Sequence, residues 1–359
     1  MTIYFIMYAL LFAVAQFTCH SEKGIKKRKS YKALWMIGIV FVVLALRHPT
    51  MGGDLGYHSY NGYLKSFTRI AEMSWKSLLN SGGILNYEWG YIIFNKLLSY
   101  ISVDYQCIIV TCALVSLIPI GIMIRRYSRD FLFSVFVYLG LPSFLILYSG
   151  LRQGIAIGIC CLAYKYIEEK KPFKFIATVI FASFFHYTAI IFLIAYPVFK
   201  IKFSKTSRLI SLVLIPIVFV LRVPLFGVLS KILKEDTSIE INNSITLFLA
   251  FVCVYIFCAV FVNEEDAITR GFLNIFYLAC LCTCFTGIYS TALRVAYYFM
   301  TALVIALPNT ISKISDKKSY MLSKFFIMFA FIAYGLYSIW SAGASWAVSY
   351  PYHFFWETL

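Results

Sequence analysis

Charge is what this sequence has least of. Of its 359 residues only 16 are acidic and 32 basic, against 61% hydrophobic and 19% aromatic. A soluble domain so poor in charge could not cover its own surface, which excludes an ordinary globular enzyme. Metal-binding cysteine patterns are also missing: no CxxC pair is followed by a second pair or by spaced histidines, which argues against a zinc module. Nine of the ten cysteines lie inside apolar runs, where they behave as small apolar side chains. No basic residue precedes the first apolar run, Thr2–Thr18, and its lysines follow it. Although Ala13-Val14-Ala15 mimics a cleavage site, that charge order reads as a retained first helix with its N-terminus outside. No internal repeat or low-complexity tract is present, which argues against a transporter built from inverted halves.

What is there in quantity is apolar sequence long enough to span a bilayer, recurring from end to end. Spans are expected near 2–18, 33–46, 105–124, 131–148, 151–167, 207–221, 245–262, 271–288, 294–308 and 325–342. With SEKGIKKRKSYK (21–32) placed inside, alternate loops collect 22 of the 32 Lys and Arg, while the acidic residues divide eight and eight. The excess of +16 is therefore an orientation signal, +14 inside and +2 outside, and not a nucleic-acid footprint. The expected fold is one integral membrane domain over 1–359, all-α and polytopic, with about 10–12 transmembrane helices.

Three segments depart from simple spans. Residues 47–104 carry a helix-like charged and apolar period at 64–79 and an amphipathic stretch at 88–102, read as helices at the outer interface. Between Phe175 and Phe199, basic residues flank both ends of a 25-residue apolar run. Two passes of about 12 residues would rise about 18 Å each, short of the roughly 30 Å of hydrocarbon. A short re-entrant or broken helical hairpin over 175–199 is expected, with Phe185-His186-Tyr187 at an outward-facing tip. One long tilted helix is the alternative, and it would carry the basic residues of 200–208 outside. Residues 222–242 read as another outer interfacial helix.

Polar residues at membrane depth are expensive; an arginine at a helix centre costs about 2.5 kcal/mol or more. In LYSGLRQGIAIG (147–158) two spans meet at Ser149-Gly150, so Arg152 heads the second at the outer boundary. Its guanidinium, the partial positive charge of the helix start and free N–H groups together suit phosphate. Arg47 before Gly52-Gly53-Asp54, Glu88 and Tyr91 in YEWGY, His186, and Arg294 after YSTAL fall on the same side. Three arginines, two carboxylates and a histidine on one face can bind a polyanion and move a proton. Arg47 and Arg294 also admit a plain reading, snorkelling or pairing with Asp54 and Glu88, and His186 that of a structural hydrogen-bonder. Gly154 and Gly158 form a GxxxG that reads as helix packing, and YPYHFFW (350–356) as interfacial belt.

The ordered set RHPTMGGDLGYHSY (47–60), YEWGYIIFNKLL (87–98), SGLRQGIAIGI (149–159), FFHYTAII (184–191) and LRVAYYF (293–299) resembles the EpsG family, bacterial membrane proteins related to Wzy-type exopolysaccharide and O-antigen polymerases. By that resemblance Arg47, Asp54, Tyr57, Glu88, Gly90, Arg152, Gln153, His186 and Arg294 occupy recurrent polar positions. It implies a GT-C-like membrane fold, no metal or other cofactor, and location in the bacterial cytoplasmic membrane with the site facing out. The implied reaction passes a growing glycan from undecaprenyl diphosphate to the sugar hydroxyl of a second lipid-linked repeat unit. Implied partners are these two oligosaccharide substrates, membrane lipids and a chain-length regulator, with no nucleic acid. The outer loops here are short, unlike those Wzy polymerases with a large periplasmic loop.

For that reaction, electrostatic preorganisation around the diphosphate is expected from Arg152 and Arg294, with Arg47 as a weaker candidate. The base is His186 or Glu88 ahead of Asp54, which can instead anchor a sugar hydroxyl. Gln153, Tyr57 and Tyr91 are expected to bind substrate. A lipid-linked oligosaccharide flippase is the rival. A membrane acyltransferase is a third reading, disfavoured by an outward His186.

Overall fold

The computed structural model describes residues 1–16, 25–58, 62–80, 87–233, 245–342 and 346–359. The regular elements among these residues are all helices, with no strand. The helices in chain order begin with α1 (Thr2–Gln16), α2 (Ile25–Ala45), α3 (Tyr63–Glu72), α4 (Trp75–Asn80), α5 (Trp89–Ser99) and α6 (Tyr105–Tyr127). There follow α7 (Phe131–Leu139), α8 (Pro142–Ser149), α9 (Leu151–Glu168), α10 (Pro172–Ser183), α11 (Ala195–Lys200) and α12 (Lys205–Val220). The last six are α13 (Arg222–Leu233), α14 (Thr246–Phe261), α15 (Ala267–Thr283), α16 (Ser290–Met300), α17 (Leu303–Ile311) and α18 (Lys317–Ala342).

Two single helices, α6 and α18, are long and apolar enough to cross a membrane, and counting bent pairs as single spans raises the number to five. Six further apolar helices of 10–17 residues stand beside them among the described residues. A 17-residue helix rises only about 26 Å, so such helices fall short of a full hydrocarbon thickness by themselves. The architecture is all-helical and consistent with a polytopic membrane protein. Two expected spans are broken rather than straight: residues 131–148 form α7 and α8, bent by 64°, and 294–308 is split between α16 and α17 at 45°. The expected span 207–221 is the single helix α12, and α13 turns off from its end by 77°. The first break has a local cause. Pro142 opens α8 and lacks the N–H that would continue α7. Gly140 lies so close to α18 that a Cβ there would be 2.6 Å from Phe331 O. The outer segment 222–242 is helical as α13 to Leu233, and 234–242 lie outside the described residues.

The chain divides into two compact units, residues 1–126 with 131–190 and 327–359, and residues 127–130 with 191–326. In the first, α3 and α5 form the expected pair of short helices in the 47–104 segment. Tyr63, Leu64, Phe67 and Ile70 of α3 are buried at helical spacing, and Ile70, Leu78 and Ile92 share a small core. Lys96 Nζ donates to Ala71 O at 2.8 Å and ties α5 back to α3. The turn between α9 and α10 uses Lys170 in the left-handed region (φ 54°), and Pro172 starts α10. The run 175–199 breaks at Phe184–His186, where the tip is expected; beyond it Tyr187–Ile194 is a 3-10 helix that leads into α11. The GxxxG glycines pack as a close helix contact. A Cβ at Gly158 would lie 2.9 Å from Ser116 O, and one at Gly154 3.2 Å from Ser116 Oγ of α6.

In the second unit, residues that count as orientation charges also hold the fold. Arg208 is buried, with Nε and Nη2 donating to Glu264 Oε1 at 2.9 and 2.5 Å and Nη1 to Asn274 Oδ1 at 3.1 Å. Asn274 Nδ2 in turn donates to the carbonyls of Val198 and Ile201 at 3.2 and 2.8 Å. A buried guanidinium of this kind is tolerated only because its donors are matched.

Candidate functional site

Glu88 precedes α5 and is its N-cap, yet its carboxylate caps nothing in its own helix. The backbone carbonyl of Glu88 accepts from the N–H groups of Tyr91 and Ile92 at 3.0 and 3.1 Å. The side chain is thereby left for distant partners. One oxygen, Oε2, accepts from Arg152 Nη1 in an ion pair. The other, Oε1, accepts from the backbone N–H of Tyr187 at 3.0 Å and lies 3.2 Å from His186 Nδ1. The last contact is at ion-pair distance but lacks hydrogen-bond alignment. Three separate stretches, the start of α5, the start of α9 and the turn after α10, thus meet on one carboxylate. The α10 turn has returned to the level of the α9 start, as two helices joined by a short connection and packed together must.

Burial would push the Glu88 carboxyl up, but His186, the Tyr187 N–H and the Arg152 charge outweigh it and hold the group at about 2. Glu88 is therefore ionised at any ordinary pH. The Arg152 guanidinium is fixed on its other edges: Nε donates to Tyr63 OH at 3.2 Å, and Cζ lies 4.6 Å from the centroid of the Tyr87 ring and 5.6 Å from that of Tyr63. Tyr63 stacks on Tyr87 with centroids 5.6 Å apart, and Tyr91 meets both edge-on at 5.5 and 5.6 Å. Gly90 is required where α5 meets the turn: a Cβ there would sit 2.6 Å from Phe184 O.

Glu88, Arg152, His186 and Tyr91 are thus brought together as a group. Tyr91 is fully buried, and its hydroxyl has no hydrogen-bond partner among the described residues. Gln153 is buried on α9. Asp54 stands beside the group with its side chain exposed; its N–H donates to Ser149 Oγ at 3.0 Å, and its charge acts on Tyr63. Tyr57 packs on His48 and His58, with ring centroids 5.4 and 4.9 Å away. Arg294 is exposed on α16 in the second unit.

Arg47 behaves otherwise than a diphosphate ligand. It is 0% exposed, with Nη1 donating to Leu44 O at 2.9 Å and Nη2 to Leu147 O and Tyr148 O at 3.0 and 3.3 Å. These are carbonyls near the C-terminal ends of α2 and α8, which lack intrahelical partners and carry partial negative charge. Arg47 ties two helix ends together; it does not pair with Asp54. Tyr63 and the Tyr187 N–H are the site groups that motif reading misses. Tyr87 sits next to Glu88 in YEWGY, whereas Tyr63 opens an amphipathic helix with nothing to mark it. Among the described residues no three His, Cys, Asp or Glu side chains converge as a metal cage.

Apolar helices holding a compact, tightly paired Glu–Arg–His cluster define a helical membrane protein with a polar centre. The chain belongs to the EpsG family, whose pattern matches residues 30–354 and so contains every residue of the cluster. No curated protein and no solved structure matches it significantly.

Proposed function

We propose that this protein is a polysaccharide repeat-unit polymerase of the outer face of the bacterial cytoplasmic membrane. It transfers a growing glycan from undecaprenyl diphosphate to a sugar hydroxyl of a lipid-linked repeat unit. The family, one of Wzy-type exopolysaccharide and O-antigen polymerases, supports the reaction class. The carrying observation is the Glu88 carboxylate shared between Arg152 and His186.

The leaving diphosphate is already acidic, so the site needs charge stabilisation and a base rather than a general acid. Arg152 retains N–H groups not committed to Glu88 or Tyr63. These bind the donor diphosphate and stabilise it as the bond from C1 to the diphosphate oxygen breaks, the electron pair leaving with the diphosphate. His186 removes the acceptor hydroxyl proton while that oxygen bonds to C1. Nδ1 faces Glu88 Oε1 at 3.2 Å, which leaves Nε2 as the basic nitrogen, and the nearby carboxylate stabilises the protonated ring. Glu88 is the alternative base, less favoured because its Oε2 is ion-paired with Arg152 and its Oε1 accepts from the Tyr187 N–H. Asp54 and Tyr57 are assigned to sugar hydroxyls and Gln153 to substrate, and Arg294 is kept as a diphosphate ligand on its place in the family pattern alone. Arg47 is structural. Chain length is left to a regulator.

Removing the protein from its host tests the class. Loss of long chains with single repeat units still displayed outside supports a polymerase, whereas units accumulating inside mean a flippase. Arg152→Lys keeps the charge and loses the planar fork, and Arg152→Ala loses both. Chain yield should fall in that order, and yields equal to the parent for both variants would refute the diphosphate assignment.

A further inference from the structure

Residues 346–359 have no part in the mechanism, and their aromatic composition reads as membrane-interface belt. The structure gives them specific backbone partners instead. His48 N–H donates to His353 O at 2.8 Å and Phe355 N–H to Leu46 O at 2.9 Å, around an antiparallel bridge between Arg47 and Phe354. Gly53 N–H donates to Trp346 O at 3.2 Å, and Tyr352 OH to Val43 O at 2.8 Å. The segment is pinned to itself and to its surroundings. His353 Nδ1 is 2.9 Å from Glu357 Oε2, Ser349 Oγ donates to Ile339 O at 3.0 Å, and Tyr4 OH donates to Ser349 O at 2.5 Å. Ala347 and Ser349 are fully buried. A belt of aromatic anchors needs none of this pairing.

The opposite side of the 46–55 loop rests on the junction that launches α9. Asp54 N–H donates to Ser149 Oγ, Arg47 holds the carbonyls of Leu147 and Tyr148, and a Cβ at Gly52 would fall 2.1 Å from Tyr148 O. The first α9 hydrogen bond, Gly154 N–H to Gly150 O at 2.9 Å, follows directly and encloses Arg152.

We infer that residues 346–359 form a strap that positions Arg152: paired to the 46–53 loop, they hold the Ser149–Gly150 junction from which the Arg152 helix starts. The consequence for donor binding rests on the polymerase reading above; the mechanical coupling does not.

Two variants of the full chain, in lipid nanodiscs, test this. Gly53→Ala drives a wedge between loop and strap, since its Cβ would lie 2.5 Å from Trp346 O and Gly53 is not in the left-handed region. Ser149→Ala removes one tie of the loop to the junction, the Asp54 N–H bond, while the Arg47 bonds to Leu147 O and Tyr148 O remain and the strap stays paired. Backbone amide exchange is read at 46–55, 150–154 and 346–355, and glycan transfer at varied concentrations of purified lipid-linked repeat unit. Gly53→Ala should speed exchange in all three segments together, by about tenfold, and raise the donor KM by a similar factor. Ser149→Ala should speed exchange at 150–154 alone and raise the donor KM with little change in kcat. Strap exchange that rises in Gly53→Ala while 150–154 stays protected overturns the inference, as does a Ser149→Ala variant with parental exchange at 150–154. Should Gly53→Ala not fold, Tyr352→Phe, which removes the strap's bond to Val43 O, takes its place with the same readouts and the same refuting result. Coupled exchange in a parent chain that transfers no glycan would leave the strap standing and sink the polymerase reading.

Discussion

Gly90→Ala is the substitution that most directly tests the Glu88–His186 contact, because it adds one methyl group at the meeting of α5 and the turn after α10. A Cβ at this position would be 2.6 Å from Phe184 O and 2.8 Å from Phe184 Cβ, whereas ordinary contact begins at 3.4 Å. The turn must therefore retreat by about 0.8 Å or more. His186 lies two residues further on, with Nδ1 now 3.2 Å from Glu88 Oε1, and the Tyr187 N–H is 3.0 Å from the same oxygen. Both contacts move beyond useful range together. Misplacement of a catalytic group by about 1 Å costs on the order of 100-fold in rate, or roughly 2.7 kcal/mol. Overpacking of this kind costs about 1–3 kcal/mol of stability, which a folded membrane protein generally survives. Transfer measured with purified lipid-linked repeat units should drop about 100-fold at equal protein level, with donor KM little changed because Arg152 keeps Tyr63 and Tyr87. Gly38→Ala is the control, since nothing stands within 4 Å of its Cβ, and it should be neutral. Parental transfer by Gly90→Ala at parental abundance would show that the Glu88–His186 contact has no part in the reaction.

Arg47→Ala should act on stability and not on chemistry: it strips donors from carbonyls at two helix ends, and each buried carbonyl left without a donor costs about 1–3 kcal/mol. Its membrane abundance and melting temperature should fall, while Arg152→Ala loses transfer with the melting temperature nearly kept; the reverse pattern would exchange the two assignments. Gly158→Ala should loosen α9 from α6, as its Cβ would press on Ser116 O at 2.9 Å, and a melting temperature equal to the parent's would disprove that close approach. The strap should weaken in acid. Burial and the neighbouring His353 hold His48 below its ordinary 6.5, so its neutral form is favoured in the fold and stability is lost as pH falls below 6.5. Glu357 is held below its ordinary 4.5 by the Phe354 N–H and His353, so its contribution is present above 4.5 and lost as pH falls through the lower folded value. Both signs agree, and the protection of the 346–355 amides relative to their intrinsic exchange rate at each pH should fall between about pH 7 and 4, with a flat protection profile counting against the cluster.

Much of this molecule could be read locally. Apolar runs, the basic flanks and the break at Phe184–His186 depend on composition and near neighbours. They are legible for that reason. The division of 131–148 into two bent helices was not, because the decisive contact at Gly140 is made by Phe331, far along the chain.

The candidate site shows the same boundary. The sequence by itself determined a helical membrane protein of this family, the small set of costly polar residues, and Arg152 at a helix head beside a glycine-rich joint. It ranked Arg47 below Arg152 but gave both the same kind of role, since each follows or opens an apolar run and each is an arginine near a membrane boundary. Only the tertiary structure made one a clamp with its terminal N–H groups on helix-end carbonyls and the other an ion-paired cation beside an ionised carboxylate. It likewise chose Arg152 as the partner of Glu88, 64 residues away, and turned the aromatic close of the chain into a strap. The physical reason is that an arginine's role is set by which acceptors surround its donors. Those acceptors are supplied across the fold by segments with no local trace in the sequence.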